Sequence, residues 1–242
     1  MTYCIGVLLE QGMVLASDTR TNAGVDQVAI FPKMHLFQVP NDRVIVLLTA
    51  GNLAISQSIV TQLREAVEKD EGTHLNNVDS LFHAASLVGD QVRLAYERDA
   101  EHLKHHHADF HVSIILAGQI KGEKPRLFNI YNAGNFIEAS METPYFQIGE
   151  TKYGKPIIDR IIKRDTSMDE AIKCILISFD STIRSNISVA APIDLLVYES
   201  DSLALKKHQR IFENDAYYSA IRQGWSTGLK QAFAQLPNPT WD

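Results

Sequence analysis

The sequence has few cysteines and no concentration of positive charge. Cys4 and Cys174 are the two cysteines among 242 residues, too few for a disulfide scaffold and in keeping with a reducing compartment. Acidic residues outnumber basic ones by 29 to 23, and no run or stripe of Lys and Arg occurs. A disulfide-linked secreted domain is therefore excluded, and no nucleic-acid partner is expected.

Long hydrophobic runs are also missing. No apolar stretch reaches the roughly 20 residues that a membrane-spanning helix requires. Residues 1–16 are apolar, but they include Glu10 and Gln11, lack a basic segment at their start and offer no convincing cleavage site. They do not have the pattern of a signal peptide. We therefore expect a soluble, cytoplasmic protein that has no membrane partner.

The chain is long and apolar enough to bury one large core. Hydrophobic residues make up 45% of the sequence, and no internal repeat, low-complexity tract or linker divides it. Chains of this length can fold as one unit. We expect a single domain that spans residues 1–242.

The predicted elements come in groups, in the order strands, two helices, strands, two helices and a strand. Hydrophobic periodicity distinguishes the two types of element. The predicted strands are Thr2–Leu9, Met13–Ser17, Val28–Val39, Arg43–Thr49, His111–Ala117, Arg126–Tyr131, Phe136–Glu138 and Ile193–Tyr198. The predicted helices are Leu53–Glu68, Val78–His106 (capped by Asn77 or Asp79), Lys152–Lys163, Met168–Arg184 and Asp215–Leu236.

Grouped strands and paired helices argue against alternating βαβ units and a parallel sheet. Two antiparallel sheets that face each other, each covered by a helix pair, would bury both faces of both sheets. Such burial explains why the first strands are apolar at nearly every position. The sequence therefore predicts an α+β fold, a four-layer αββα sandwich.

The second residue offers a nucleophile and a base together. Thr is small enough for the preceding Met to be removed by methionine aminopeptidase, which would give Thr2 a free α-amine with a pKa of roughly 7.7–8.0. Its hydroxyl and amine would then form a threonine and terminal-amine catalytic unit, with a water relaying the proton. A lysine nearby would lower both pKa values, and a carboxylate would keep that lysine charged. Asp18 and Lys33, each near a predicted strand end, are the candidates.

Four short motifs follow one another in the first part of the chain. They are T-Y-C-I-G-V from Thr2, S-D-T-R at 17–20, F-P-K-M at 31–34 and T-A-G at 49–51. In this order and spacing they resemble the β-type subunits of the proteasome family, which are N-terminal nucleophile (Ntn) hydrolases. Among the branches of that family, the chain looks most like the bacterial proteasome-like Anbu subunits. The family fold is the four-layer sandwich predicted above.

The resemblance implies a catalytic role for four residues. Thr2 would be the nucleophile, and its freed amine the general base. Lys33 would tune that amine, and Asp18 would hold Lys33 in place. The backbone N–H of Gly51 would bind the oxyanion of the tetrahedral intermediate, at a position where glycine lets a substrate approach the backbone.

The same resemblance implies two substrate-binding elements. Thr49 falls where the family has the residue at the base of its specificity pocket. The segment Thr21–Ala23 falls where the family pairs with the substrate backbone by strand addition.

Two positions depart from the family pattern. The family usually has a Ser in a G-S-G-like turn, where this chain has Glu150 or Thr151. A carboxylate there would raise the pKa of the terminal amine. The family's Asp-x-x-Ser-Gly motif is also altered, with Asn186 at the Asp position and Ser188 or Val189 at the Ser position. Glu150, Asn186 and Ser188 are therefore candidate supporting residues, of which Asn186 could bond the amine without charge.

A histidine-rich segment at 102–111 is the remaining motif. His102 and His106 are spaced four apart on a predicted helix, which can bind zinc, but no H-E-x-x-H motif accompanies them. Histidines at a helix end also interact favourably with the helix dipole. We expect no metal site and no cofactor.

The predicted reaction is acyl transfer from a peptide or amide substrate to Thr2, followed by hydrolysis of the ester. The resemblance also implies self-association into a ring-like homo-oligomer, while no residue indicates whether an ATPase is a partner. Two alternatives stay open: a small-molecule amidase that uses the same Thr2, and a catalytically weak assembly or scaffold subunit.

Overall fold

Two five-stranded antiparallel sheets form the centre of the fold. This computed structural model describes residues 2–23 and 27–241. Its strands are β1 (Tyr3–Leu9), β2 (Gly12–Asp18), β3 (Arg20–Ala23), β4 (Gln27–Ile30), β5 (Met34–Val39), β6 (Arg43–Gly51), β7 (Val112–Ile120), β8 (Arg126–Ile130), β9 (Phe136–Glu138), β10 (Tyr145–Gly149), β11 (Ile193–Glu199) and β12 (Leu205–Ile211). The sheet orders are β10-β1-β2-β11-β12 and β5-β6-β7-β8-β9, and β3 pairs with β4 in a small separate sheet.

In the described ranges, five helices cover the outer faces of these sheets or extend from them. They are α1 (Leu53–Lys69), α2 (Leu81–His105), α3 (Lys155–Ile161), α4 (Met168–Ser185) and α5 (Ala216–Ala234). Among the described residues, no helix combines the length and the apolar character needed to cross a bilayer.

Three hydrophobic clusters correspond to the three interfaces between four layers. In β1, Tyr3, Ile5 and Val7 pack with residues of α3 and α4, whereas Cys4 and Leu8 pack against the second sheet. A third cluster lies between the second sheet and the helix pair α1 and α2. Every residue of β1 is buried because its alternate side chains enter two different apolar layers. The predicted αββα sandwich is confirmed.

Several local predictions were wrong. The strand predicted at Val28–Val39 is two strands, because Pro32 lacks an N–H donor and interrupts the ladder. Ser80, rather than Asn77 or Asp79, caps α2 by accepting a hydrogen bond from the His83 N–H at 3.1 Å. Strands β3, β10 and β12 were not predicted.

Candidate active site

Backbone contacts on both sides fix Thr2 at the start of β1. The Thr2 carbonyl accepts a hydrogen bond from the Glu150 N–H at 2.7 Å, and the next amide, that of Tyr3, donates to Asp18 Oδ1 at 3.0 Å. A Cβ atom at Gly149 would lie 1.9 Å from the Thr2 carbonyl oxygen, and the φ of Gly149 is +83°. Only glycine fits this close approach. Thr2 is 8% exposed as a result.

Asp18 and Lys33 form a buried ion pair beside Thr2. Lys33 Nζ donates to Asp18 Oδ1 at 2.7 Å and to the Arg20 carbonyl at 2.6 Å. Their side chains are 0% and 4% exposed. The same Asp18 oxygen accepts the Tyr3 N–H, so the ammonium lies within a few ångströms of the backbone next to Thr2. Both charges are therefore paired at a site that excludes most water.

The environment of Asp18 shifts its titration. Burial raises the pKa of the Asp18 carboxyl to about 6, while the Lys33 ammonium and the Tyr3 N–H oppose that rise. Asp18 Oδ2 has no hydrogen-bond partner among the described residues. Below this pKa the carboxyl takes up a proton and loses its attraction for Lys33.

The Gly51 N–H points toward the edge of β6 where Lys33 lies. The Asn52 N–H donates to the His111 carbonyl on the β7 side at 2.8 Å, and the Thr49 N–H donates to the Lys33 carbonyl on the other side at 2.9 Å. Amide directions alternate along a strand, so the Gly51 N–H has the direction of Thr49, just beyond the start of β5. This geometry leaves the amide aimed at the space beside Lys33.

The backbone at Gly51 requires glycine. Its φ is +110°, and a Cβ atom there would lie 2.3 Å from the His111 carbonyl oxygen. Gly51 ends β6 instead of opening α1, which Asn52 caps by accepting the Ala54 N–H at 3.0 Å.

Thr49 lies directly behind Lys33. It is 3% exposed, and its hydroxyl donates to the Lys33 carbonyl at 3.5 Å. Cys4 Sγ is 3.6 Å from the Thr49 carbonyl, which shows that the start of β1 crosses over the end of β6. The described contacts of Thr49 thus position Lys33, and contact with a substrate stays a prediction.

Thr21 lies in β3, which has a free edge. Thr21 pairs with Ala29 of β4, and no other strand in the described part of the chain pairs with β3. The unpaired edge follows directly after Asp18 along the chain, at the same end of the fold as Thr2. An extended ligand could therefore add to it as a further strand.

Glu150 and Asn186 form a polar pair that borders Thr2. Asn186 Nδ2 donates to Glu150 Oε2 at 2.8 Å, and the Ser188 N–H donates to Asn186 Oδ1 at 2.9 Å. Glu150 is 7% exposed, and Lys152 Nζ lies 3.5 Å from its other oxygen. Ser188 takes part through its backbone, by supporting Asn186. The structure thus brings together two residues that belong to separate motifs in the sequence.

Two contributions to the site were not predicted from the sequence. The Arg20 carbonyl accepts from Lys33, and backbone groups carry no residue-specific signal. The Tyr3 hydroxyl lies 2.9 Å from Ser178 Oγ and accepts from Gln147 Nε2 at 2.6 Å, which anchors the residue after Thr2 to α4 and β10. In residues 2–23 and 27–241, no group of three or more His, Cys, Asp or Glu is arranged to hold a metal ion.

Sequence comparison relates most of the chain to proteasome subunits. Residues 2–197 match the family model described as "Proteasome subunit". The chain is also 22% identical over 213 residues to the proteasome subunit beta of Haloferax volcanii, a match that covers 86% of this chain and 77% of that protein.

Solved structures extend the similarity to the whole chain. Anbu (ancestral beta-subunit) from Yersinia bercovieri is 50% identical with a TM-score of 0.92, and the match covers 99% of this chain and 100% of that one. The Anbu (Gly-1) mutant from Hyphomicrobium sp. strain MC1 is 46% identical with a TM-score of 0.93 and full coverage of both chains. The helical assembly of the Anbu complex from Pseudomonas aeruginosa is 47% identical with a TM-score of 0.94 and 98% coverage of each chain. These matches confirm the resemblance read from the four motifs: the chain belongs to the proteasome-subunit family.

Proposed function

We propose that this protein is a threonine-type amidohydrolase acting on peptide or amide substrates, with Thr2 as its nucleophile after removal of Met1. One observation carries the proposal: the buried ion pair of Asp18 and Lys33 shares an oxygen with the amide next to Thr2. The positive charge of a buried lysine lowers the pKa of a neighbouring amine and of a neighbouring hydroxyl.

The proposed reaction begins at the Thr2 hydroxyl. The free α-amine accepts the hydroxyl proton through a water while Oγ forms a bond to the amide carbon. The Gly51 N–H donates to the resulting oxyanion. When the carbon–nitrogen bond breaks, the ammonium returns its proton to the departing amine. Water, deprotonated by the same amine, then attacks the ester, releasing the acid and restoring Thr2.

Glu150 is the residue that opposes this activation. Its backbone N–H donates to the Thr2 carbonyl at 2.7 Å, and a negative charge on its buried side chain would favour the protonated form of the terminal amine. Asn186 donates to Glu150 at 2.8 Å and spreads that charge over a hydrogen bond. We assign the pair to positioning of the terminal amine, at the cost of a raised amine pKa that Lys33 offsets.

Substrate would bind as an extended strand along β3. Its backbone would hydrogen-bond to the outer edge of β3 at Asn22, because the Thr21 backbone faces β4 in the Thr21–Ala29 pair. The carbonyl that reacts would lie between Thr2 and the Gly51 N–H. This arrangement favours a peptide over a compact amide, because a strand edge recognises repeated backbone groups.

We also propose that the chain associates with copies of itself. A relative 47% identical over 98% of both chains is described as a helical assembly. Self-association is compatible with hydrolysis, and also with the alternative of a scaffold subunit whose activity is weak. The observation that favours that alternative is that a buried glutamate, Glu150, is the residue bonded through its backbone to Thr2.

Trapping with an electrophile tests the proposed function. The purified protein is treated with an epoxyketone or β-lactone, and its intact mass and the labelled peptide are determined. The expected result is a chain without Met1 that carries one adduct on Thr2. Thr2→Ala should remove the adduct, whereas the control Thr61→Ala, an exposed threonine of α1, should retain it. Retention of Met1, or equal labelling of Thr2→Ala, would remove the enzymatic proposal.

A further inference from the structure

Helix α5 has almost no buried face. Within Ala216–Ala234, all of which the structure describes, Tyr218 is the one buried residue. Ile221 packs partly against the core, and Arg222 Nε donates to Asp180 Oδ1 of α4 at 2.8 Å. The first two turns therefore anchor the helix, and the remaining turns extend away from the sandwich. A helix gains most of its stability from packing an apolar face, which these later turns lack.

The exposed part of α5 nevertheless carries large apolar side chains in a row, which we call the α5 ridge. Leu229 is 51% exposed and Phe233 is 77% exposed. The ridge repeats every four residues, beginning with the half-buried Ile221 and Trp225 and continuing into the exposed Leu229 and Phe233. Contiguous exposed apolar rows are uncommon on monomers and mark interaction sites.

A row of small residues lies beside the ridge, and we call it the α5 groove. It consists of Ala220, Gly224, Gly228 and Ala232. Among the described residues, no heavy atom lies within 4 Å of a Cβ built on Gly224 or Gly228, so no contact in that part of the chain requires glycine there. Each interior glycine nevertheless weakens a helix relative to alanine. Glycines at these two positions would let the backbone of another helix approach α5 closely.

Ridge and groove on one helix are complementary to each other. Two helices whose rows of residues four apart interdigitate pack at about −50°, the commonest helix-packing geometry. A two-fold axis through the crossing would place the ridge of each helix in the groove of the other. Since Arg222 is already paired with Asp180, Lys230 is the remaining charge in α5, and little charge has to be desolvated.

Helix α5 lies outside the part of the chain that matches the general family model. That match covers residues 2–197 and so ends before β12 and α5. The Anbu structures match 98–100% of the chain and so include this segment. The helix is thus shared with relatives of this branch, one of which is described as a helical assembly.

We propose that α5 is an association surface and that its occupant is α5 of a second copy of this chain. The inference rests on the self-association proposed above, and it names the contact. It is independent of catalysis at Thr2.

Two substitutions in the full chain test the proposed contact. Phe233→Glu places a charge on the α5 ridge, and Gly228→Leu places a large side chain in the α5 groove. Each should raise the dissociation constant of the assembly at least tenfold, measured by size-exclusion chromatography with light scattering. The control Thr227→Glu, on the opposite face of α5, should keep the wild-type mass. Folding is checked by the far-ultraviolet circular-dichroism spectrum, which should match wild type in all three because these positions are exposed.

Disulfide trapping tests whether α5 meets α5. Gly228→Cys should form a covalent dimer under mild oxidation, whereas Thr227→Cys should not. The native Cys4 and Cys174 are buried and provide no competing thiol. An assembled Gly228→Cys protein that forms no dimer would overturn the proposal.

The outcomes for the two proposals are separable. Phe233→Glu and Gly228→Leu proteins that assemble like wild type would refute the α5 contact and leave the Thr2 chemistry untouched. A wild-type chain that assembles through α5 but never labels at Thr2 would refute the hydrolase and leave the contact standing.

Discussion

Two buried polar clusters lie at opposite ends of the sandwich, and they are built differently. At one end, Gln119 Oε1 accepts from the Tyr198 hydroxyl at 2.5 Å and the Asp201 N–H at 2.8 Å, while its Nε2 donates to the Glu123 carbonyl and to Asp201 Oδ1. At the other end, Asp18 Oδ1 accepts two donors and Oδ2 has no partner among the described residues.

This difference is the one we expect between a structural cluster and the reactive cluster proposed above. The oxygen and the nitrogen of the Gln119 amide are both hydrogen-bonded, and together they join β7 to the turn after β11. The Asp18 and Lys33 cluster concentrates charge in a dry site and leaves one carboxylate oxygen unused. Buried polar groups are normally satisfied. The Asp18 and Lys33 cluster keeps a charged pair and an unbonded carboxylate oxygen beside Thr2. We therefore interpret it as serving a reaction and not the stability of the fold.

Breaking the ion pair should have the largest effect. Lys33→Met leaves the Asp18 carboxylate buried and unpaired, which should cost about 3–5 kcal/mol in the free energy of unfolding. It should also reduce electrophile labelling of Thr2 by at least about 100-fold, because the amine and hydroxyl lose their cationic neighbour. Urea unfolding and labelling rates measure the two effects.

Gln119→Leu is the matched disruption of the other cluster. It leaves the buried Tyr198 hydroxyl and the more exposed partner groups of Glu123 and Asp201 without the Gln119 amide, and should cost about 1–3 kcal/mol of stability in total. Labelling of Thr2 should stay at the wild-type rate. Loss of labelling in this variant would contradict the division between a structural and a reactive cluster.

Acidification should separate reactivity from stability. The Asp18 pKa in the folded protein is about 6, raised from an ordinary value of 3.8. The folded state therefore binds this proton more tightly, so the contribution of Asp18 to stability is present at low pH and is lost as the pH rises through 6. Labelling of Thr2 should show the opposite trend and fall as the pH drops below about 6. A circular-dichroism signal that stays constant between pH 7 and 5.5 would show that the loss is not unfolding.

Removing the charge of Glu150 should give a smaller effect of known direction. Glu150→Gln keeps the shape and the backbone contact with Thr2 but favours the neutral amine. The pH at which labelling reaches half its maximum should move down by about 0.5–1 unit. The pH profile of the labelling rate measures this shift, and an unchanged or raised midpoint would contradict the assigned role.

Tyr198→Phe should have the smallest effect. It removes one hydrogen bond to Gln119 and should cost about 1 kcal/mol of stability. Labelling of Thr2 should be unaffected, and differential scanning calorimetry compared with labelling would show it.

The layers and the main strands were predictable because a strand buried on both faces of its sheet has an almost continuous apolar sequence. In β1 and β6 nearly every residue is apolar, and both strands lie between two hydrophobic clusters. The predicted helices were found with shifted ends, since caps such as Ser80 depend on local geometry. By contrast, β12 has the sequence LKKHQRI and lies at a sheet edge, where charged residues discourage further pairing. Its polar sequence gave no strand signal.

The candidate site was predictable where short motifs carry it. Asp18 and Lys33 were identified from the order of motifs, and the structure places them 2.7 Å apart. The meeting of Glu150 and Asn186 was not predicted, because the contact joins β10 to the end of α4 across 36 residues. Such long-range pairings depend on the packed layers and not on local sequence.

The pKa of the Thr2 α-amine tests the central claim most directly. It can be measured from the pH dependence of the rate at which an amine-specific reagent modifies the mature chain, in wild type and in Lys33→Met. We predict a pKa that is lower in wild type than in the variant by at least about half a unit, because the ammonium of Lys33 disfavours a second positive charge nearby. Equal values in the two proteins would show that Lys33 does not act on Thr2, and would contradict the account.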